Sequence, residues 1–413
     1  MFYYEIDNHG LISPYPYPGL KEIPEQAVSG CRDRVYWLFH KNPEVFRRSF
    51  SLADASLAFP EEEGINLLLK PREENRVLPV WLQEKIGGGK VTAVNTAYPH
   101  WKSVLDHRLP VKWTVNIAGL GDVGGMLLTG LRLLGGKLID KIGIYDTDLN
   151  RIKRWDYEAN QVFSPFADAC YPQVEGIGEN QVFDCDLFVF CVSVGVPPVG
   201  QEQKDVRLAQ FAGNARIVNQ YAKMAREKGF QGIFAVVSDP VDLLCKSAFV
   251  SSNTDETGKK DFLGLAPEKI RGYGLGVMNA RAVYFAKQRA ETIHYLEEGR
   301  AYGPHGAGLV IADSIENYSD QLSQYLTEKA RTANLDVRGM GYKPYIAPAL
   351  SSGALSLIAT MQGSWHYSAT FMGGIFMGAK NRLTPSGGEI ERLPLPARLI
   401  DRLQDTYKML GSL

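Results

Sequence analysis

The sequence predicts an α/β protein built on a parallel sheet, and three observations carry that expectation. Residues 112–146, KWTVNIAGLGDVGGMLLTGLRLLGGKLIDKIGIYD, read as strand, glycine turn, helix and second strand, ending in an acid. Apolar strand segments and helical segments alternate from Val111 to about Pro240, as βαβ units do. The run at 187–191, LFVFC, is apolar throughout, the pattern of a strand covered on both faces.

The glycine turn is the strongest single signal. Gly119, Gly121 and Gly124 are spaced G-x-G-x-x-G. The first allows a tight turn, the second a close approach to a pyrophosphate, the third packing of helix on strand. The following helix directs its N-terminal amides and positive dipole end at phosphates. The expected cofactor contacts are Gly119, Gly121, Asp122, Val123, Gly124 and Asp146. Asp146 lies about 20 residues past the turn, where a carboxylate accepts hydrogen bonds from ribose hydroxyls. A carboxylate there repels a 2′-phosphate, so the reading is a Rossmann-type sheet that takes NAD rather than NADP.

The remaining elements follow in chain order. Residues 1–110 form an N-terminal α/β unit with no interpretable motif. It opens with a turn-rich stretch, ISPYPYPGLKEIP, expected to be irregular. A helix is expected at 32–48, started or interrupted by Pro43. Strands are expected at 65–70, 77–81 and 91–95. The NAD-binding unit covers 111–245, with a helix at 215–228 and a buried strand at 233–237. Residues 246–413 form a C-terminal α+β domain that carries substrate and catalysis. Helices are expected there at 281–298, 313–330, 355–362 and 397–410, and extended segments at 271–278 and 368–380.

Composition narrows the function classes. The chain has 413 residues, enough for two or three domains, and 45% are hydrophobic. The formal net charge is −1, which gives no reason to expect a nucleic acid or an anionic membrane. No apolar run approaches roughly 18 residues, so no membrane span is expected. The opening MFYYEIDNHG has no signal-peptide pattern, and five scattered cysteines without C-x-x-C fit reduced thiols; both point to the cytoplasm. His100 and His107 are too far apart for a helical metal pair, so no metal is expected. Tyr3, Tyr4, Tyr15 and Tyr17 are read as packing, and RIKR at 151–154 as a solvated helix face.

From about Val111 onward, several motifs fall in one order. NIAGLGDVGG, IGIYDTD, LFVFCVSVGVPP, DVRLAQFAGNARIV, AVVSDPVDLL, VMNARAV and GPHGAG are collinear. The series resembles the lactate/malate dehydrogenase superfamily over about 300 residues; residues 1–110 have no counterpart in it. The resemblance implies an NAD-dependent oxidoreductase acting on a small 2-hydroxy or 2-keto acid, assembled as a dimer or tetramer. It implies His305 of GPHGAG as the proton donor and acceptor, since imidazole titrates near neutrality. It implies Arg281 of NAR as a two-pronged carboxylate anchor and Arg207 of KDVRL as the loop residue that polarises the carbonyl. The plain alternatives are a glycine-turn histidine, a surface arginine and a solvated loop charge.

Two positions depart from the family pattern. The acid that should hold the histidine is Met278, because VMNAR stands where L-D-S-A-R is expected. A one-residue slip offers Asn279, which can fix a tautomer but carries no charge. The asparagine of S-N-P-V-D is Asp239, which either replaces the missing charge or repels an anionic substrate. The substrate-choosing residue is Pro198 counted from the strand and Gln201 counted back from Arg207, so lactate and malate stay undivided. Two functions therefore follow: the oxidoreductase, or an NAD(H)-binding module with lost or altered activity, acting as a sensor or assembly partner.

Overall fold

The computed structural model describes residues 1–70, 78–166, 170–194 and 206–413, with side chains at 206–209 outside the description. The N-terminal part builds a six-stranded sheet. Its strands are β1 (Phe2–Ile6), β2 (His9–Ser13), β3 (Lys21–Glu22), β4 (Val35–Phe39), β5 (Ser49–Ser51) and β6 (Val91–Asn95), in the order β3-β1-β2-β4-β6-β5. Asp7 and Asn8, both at positive φ, turn β1 into β2. Short helices α1 (Glu25–Ser29), α2 (Val80–Gly87) and α3 (Ser103–Asp106) flank it.

Several expectations for this unit are corrected. The helix expected at 32–48 is strand β4, VYWLF, whose five residues are all buried. A continuous β-branched and aromatic run suits a strand covered on both faces, and that outweighed helical spacing. The strand expected at 65–70 is a 3₁₀ turn, Ile65–Leu68. In place of the strand at 77–81, α2 starts after Pro79, whose fixed φ suits a helix entry. The turn-rich stretch includes the end of β2 and all of β3. Strand β6 matches its expected bounds.

The second sheet holds the glycine turn. Its parallel strands are β7 (Trp113–Ala118), β8 (Ile139–Tyr145), β9 (Gln173–Gly176), β10 (Leu187–Phe190), β11 (Ile233–Val236) and β12 (Ile270–Gly272). They run β9-β8-β7-β10-β11-β12, the doubly wound Rossmann order with its switch point between β7 and β10. Helices α4 (Asp122–Leu134), α5 (Leu149–Asn160), α6 (Val206–Glu227) and α7 (Val241–Ser252) join them. Val115, Ile117, Leu127, Leu131 and Ile142 fill one face, and Phe188, Phe190, Phe234 and Ala248 the other.

The C-terminal part continues this sheet. After α8 (Leu275–Ala286) and α9 (Tyr295–Glu298) come the hairpin β13 (Arg300–Tyr302) and β14 (Val310–Ala312), then α10 (Asp320–Gly339) and α11 (Leu355–Gln362). Strands β15 (His366–Met372), β16 (Ile375–Thr384) and β17 (Gly387–Ile390) add antiparallel to β12 through Gly272 and Ala369, and α12 (Ala397–Ser412) closes the chain. The sheet thus crosses the division drawn at 245 and 246. The extended segment expected at 271–278 ends at Gly272, and α8 begins at Leu275. The helix expected at 281–298 is split, with α8 stopping at Ala286. The helix expected at 313–330 starts later, where the Ser319 side chain accepts from the Leu322 N–H. The five cysteines are free thiols. Among the described residues no helix is long and apolar enough to cross a membrane.

Candidate functional site

The turn after β7 is shaped by its glycines. Gly119 has φ +92°, a conformation that favours glycine. A Cβ there would stand 2.8 Å from the backbone of Cys191, just past β10. A Cβ on Gly124 would stand 1.9 Å from the Gly119 carbonyl oxygen. At Gly121 a Cβ would meet nothing within 4 Å. That open space lies at the N-cap of α4, where unpaired amides and the helix dipole face an anion. These residues fit a pyrophosphate. Asp122 and Val123 form the first turn of α4, and Asp122 pairs with Lys343 at 2.9 Å.

Asp146 follows β8 and is buried. Its Oδ2 accepts from the Leu120 N–H at 2.8 Å, and its Oδ1 from the Asp148 N–H at 3.0 Å. The acid therefore ties the glycine turn to the second strand. Arg151 Nη1 lies 3.2 Å from Asp146 Oδ2. The RIKR segment is thus not wholly a solvated face: its first arginine sits on the acid.

The second group of residues gathers past the carboxyl ends of β11 and β12. His305 lies on the glycine-rich loop between β13 and β14. Its Cβ is 3.0 Å from where a Cβ on Gly274 would stand, at the N-cap of α8, and Val241 is equally close. Glycine at 274 is what lets the two loops meet. His305 Nδ1 lies 3.4 Å from Asp239 Oδ1. The Asp239 side chain is 60% exposed, so this carboxylate is open to solvent. Arg281 sits on α8, half-buried; burial lowers its pKa and the Asp239 carboxylate partly offsets that. Asp239 thus acts on both His305 and Arg281. Arg207 lies in the first turn of α6, where side chains are outside the described residues. Pro198 and Gln201 are outside the described residues altogether.

The two candidates for the missing acid separate clearly. Met278 is 1% exposed and packs in an apolar cluster with Leu275, Val277, Ala282 and Leu309. Asn279 faces elsewhere, accepting from the Tyr295 hydroxyl at 2.8 Å. The slipped alignment therefore gives His305 no partner.

The SDPVD segment carries a further acid that its motif order did not mark for chemistry: Asp242, in the first turn of α7. It is buried, and its Oδ1 has no hydrogen-bond partner; nor does the buried Nε2 of His305. Burial pushes the Asp242 pKa up to about 7, with His305 opposing the rise and Asp239 adding to it. Because this value stands above the ordinary carboxylate value of about 4, folding favours the protonated form. That stability is complete below about pH 4 and is lost as pH rises through about 7. Asp242→Asn cannot ionise, so its advantage in Tm over the wild type should widen between about pH 5 and about pH 8. A difference that stays flat over that span would show that the proton is not held.

No family model matches the chain. The L-lactate dehydrogenase of Mesomycoplasma hyopneumoniae (strain 232) is 26% identical over 207 residues, 50% of this chain and 58% of that protein. The chain therefore spans less than two thirds of that relative's length. Among solved structures, the minor L-lactate dehydrogenase of Enterococcus mundtii superposes with a TM-score of 0.59 at 17% identity, over 73% of this chain and 98% of the other. The malate dehydrogenase of Archaeoglobus fulgidus, solved with NADH, gives 0.55 at 17% identity, over 72% and 97%. These structures share the overall fold with this chain. The chain is thus similar to lactate and malate dehydrogenases, in sequence over half its length and in fold over about 72–73% of it.

Proposed function

We propose that this protein is an NAD(H)-dependent oxidoreductase acting on a small 2-hydroxy or 2-keto acid. The observation that carries the proposal is the meeting of His305, Arg281 and Asp239 past the carboxyl ends of β11 and β12, on the edge of the sheet where the glycine turn also opens. Ligands of open α/β sheets bind on that edge. Bound NAD(H) would supply the hydride acceptor or donor. His305 takes the hydroxyl proton in one direction and returns it in the other. Arg281 receives the substrate carboxylate with two parallel hydrogen bonds, and Arg207 closes on the substrate from α6. Asp239, 3.4 Å from Nδ1, supplies the negative charge that Met278 cannot. Assembly as a homo-oligomer and a cytoplasmic location belong to the same reading.

A specific observation favours a second reading. The Asp239 carboxylate also acts through space on Arg281, whose Nη1 donates to the Ala330 carbonyl at 3.4 Å, so an anionic substrate would meet a resident negative charge there. An NAD(H)-binding module without turnover, serving as a sensor or assembly partner, fits such a site. Loss of NADH absorbance against a panel of 2-keto acids, beside a direct NADH titration, separates the two. Turnover supports the oxidoreductase, and binding without turnover the module.

Cofactor choice has its own test. Asp146→Ser should narrow a preference for NADH over NADPH by about 1–3 kcal/mol, the size of a close charge–charge effect. It also leaves Arg151 without its acid and available to a 2′-phosphate. Fluorescence titration of both cofactors measures this, and equal affinities in the wild type would remove the NAD assignment.

A further inference from the structure

A second charged cavity lies against the opposite edge of the same sheet, between the N-terminal unit and the dehydrogenase-like body. It is about 40 Å³ in volume and is lined by Arg34, Arg48 and His107 from the first unit and by Glu268, Lys269 and Arg271 from the second. Ile233, at the start of β11, forms part of its wall. Asp239 and Gly274 follow the other ends of β11 and β12, so this cavity is separate from the site around His305.

Its charges do not balance. Glu268 is taken by Arg48, with Nε 3.1 Å from Oε1, and the Ser49 hydroxyl donates to the same oxygen at 3.0 Å. Arg34 meets no carboxylate in this cavity: it donates to the carbonyl oxygens of Pro385 and His107 and lies over the Tyr36 ring. Arg271 is 3% exposed; its Nη1 donates to Asn381 at 2.7 Å, and its Nε is buried with no partner. Lys269 Nζ lies 2.7 Å from His107 Nε2, a neutral acceptor. Burial, and then Lys269, hold the His107 pKa down at about 3. Burial, and then Arg48, press Lys269 down to about 7. Among the described residues, Glu268 is the one carboxylate that faces three guanidinium groups and an ammonium in this cavity. Buried cations without counter-charge are costly. An oxyanion would remove that cost and give the Arg271 Nε an acceptor. A volume of this size holds about three waters, which is also the scale of a tetrahedral oxyanion.

We propose that this cavity binds a phosphate-type oxyanion, free or as the terminal group of a small phosphate ester, and so clamps the N-terminal unit to the body.

The test titrates inorganic phosphate into the full chain by calorimetry, with Tm followed against sodium chloride at matched ionic strength. Saturable binding is expected, with a rise in Tm beyond that in chloride. Arg34→Gln, at the half-exposed mouth, and Lys269→Met should each weaken phosphate tenfold or more. Gly121→Val fills the open space of the glycine turn and should bind phosphate as the wild type does. Glycerol 3-phosphate distinguishes the sources: tighter binding than inorganic phosphate assigns an ester, weaker binding the free ion. Any of three results overturns the proposal. One is no saturable binding beyond the chloride effect. Another is unchanged affinity in both Arg34→Gln and Lys269→Met, and the third is loss of phosphate in Gly121→Val, which would assign the anion to the dinucleotide turn.

Discussion

Replacing His305 with asparagine should lower kcat for 2-keto acid reduction by about 10²–10⁴-fold, the usual contribution of a positioned general acid. NADH affinity should hold, because the glycine turn and Asp146 lie apart from the β13–β14 loop. Reduction consumes a proton, which His305 supplies. Asp239 Oδ1 lies 3.4 Å from Nδ1. Stopped-flow rates of the wild type and His305→Asn read the effect. A wild type that reduces a 2-keto acid briskly at about pH 8, with His305→Asn equally fast, would end the mechanism and leave the fold intact.

The second large effect is on stability. Met278→Asp should destabilise the chain by about 3–5 kcal/mol, the cost of an uncompensated buried charge. Met278 is 1% exposed and surrounded by Leu275, Val277, Ala282 and Leu309, none of which can pair with a carboxylate. Met278→Leu keeps volume and polarity and should cost under about 1.5 kcal/mol. Urea midpoints of the two variants make the comparison. Position 278 is one helical turn from Gly274, which abuts the His305 Cβ. A carboxylate that reaches the ring from there should also raise the rate of reduction. Equal midpoints for the aspartate and leucine variants would mean that residue 278 is not enclosed as described.

Legibility in the sequence varied with how local the determining physics was. The glycine turn could be read directly, because each glycine answers a short-range steric need: positive φ at Gly119, close packing at Gly124, open space at Gly121. Strands β10 and β11 were legible for the same kind of reason, since complete burial demands an unbroken apolar run. Strand β4 is equally apolar, yet its pattern also admits a helix over so short a span. Only its pairing with β2 and β6 settles that choice.

The site divides along the same line. His305, Arg281 and Asp239 were nameable from motif order, and so was the absence of an acid at Met278. By itself the sequence determined the Rossmann-type turn and the residue types available for chemistry, because those depend on neighbours a few positions apart. The tertiary structure alone decided which groups act on which. It set Asp239 against His305 across 66 positions of chain, turned Asn279 to Tyr295, and enclosed Asp242 without a partner for Oδ1. It also brought Arg34 and His107 against Lys269 and Arg271, from units that share no motif. Charge interactions and burial depend on distance through space and on the removal of water, and chain spacing encodes neither.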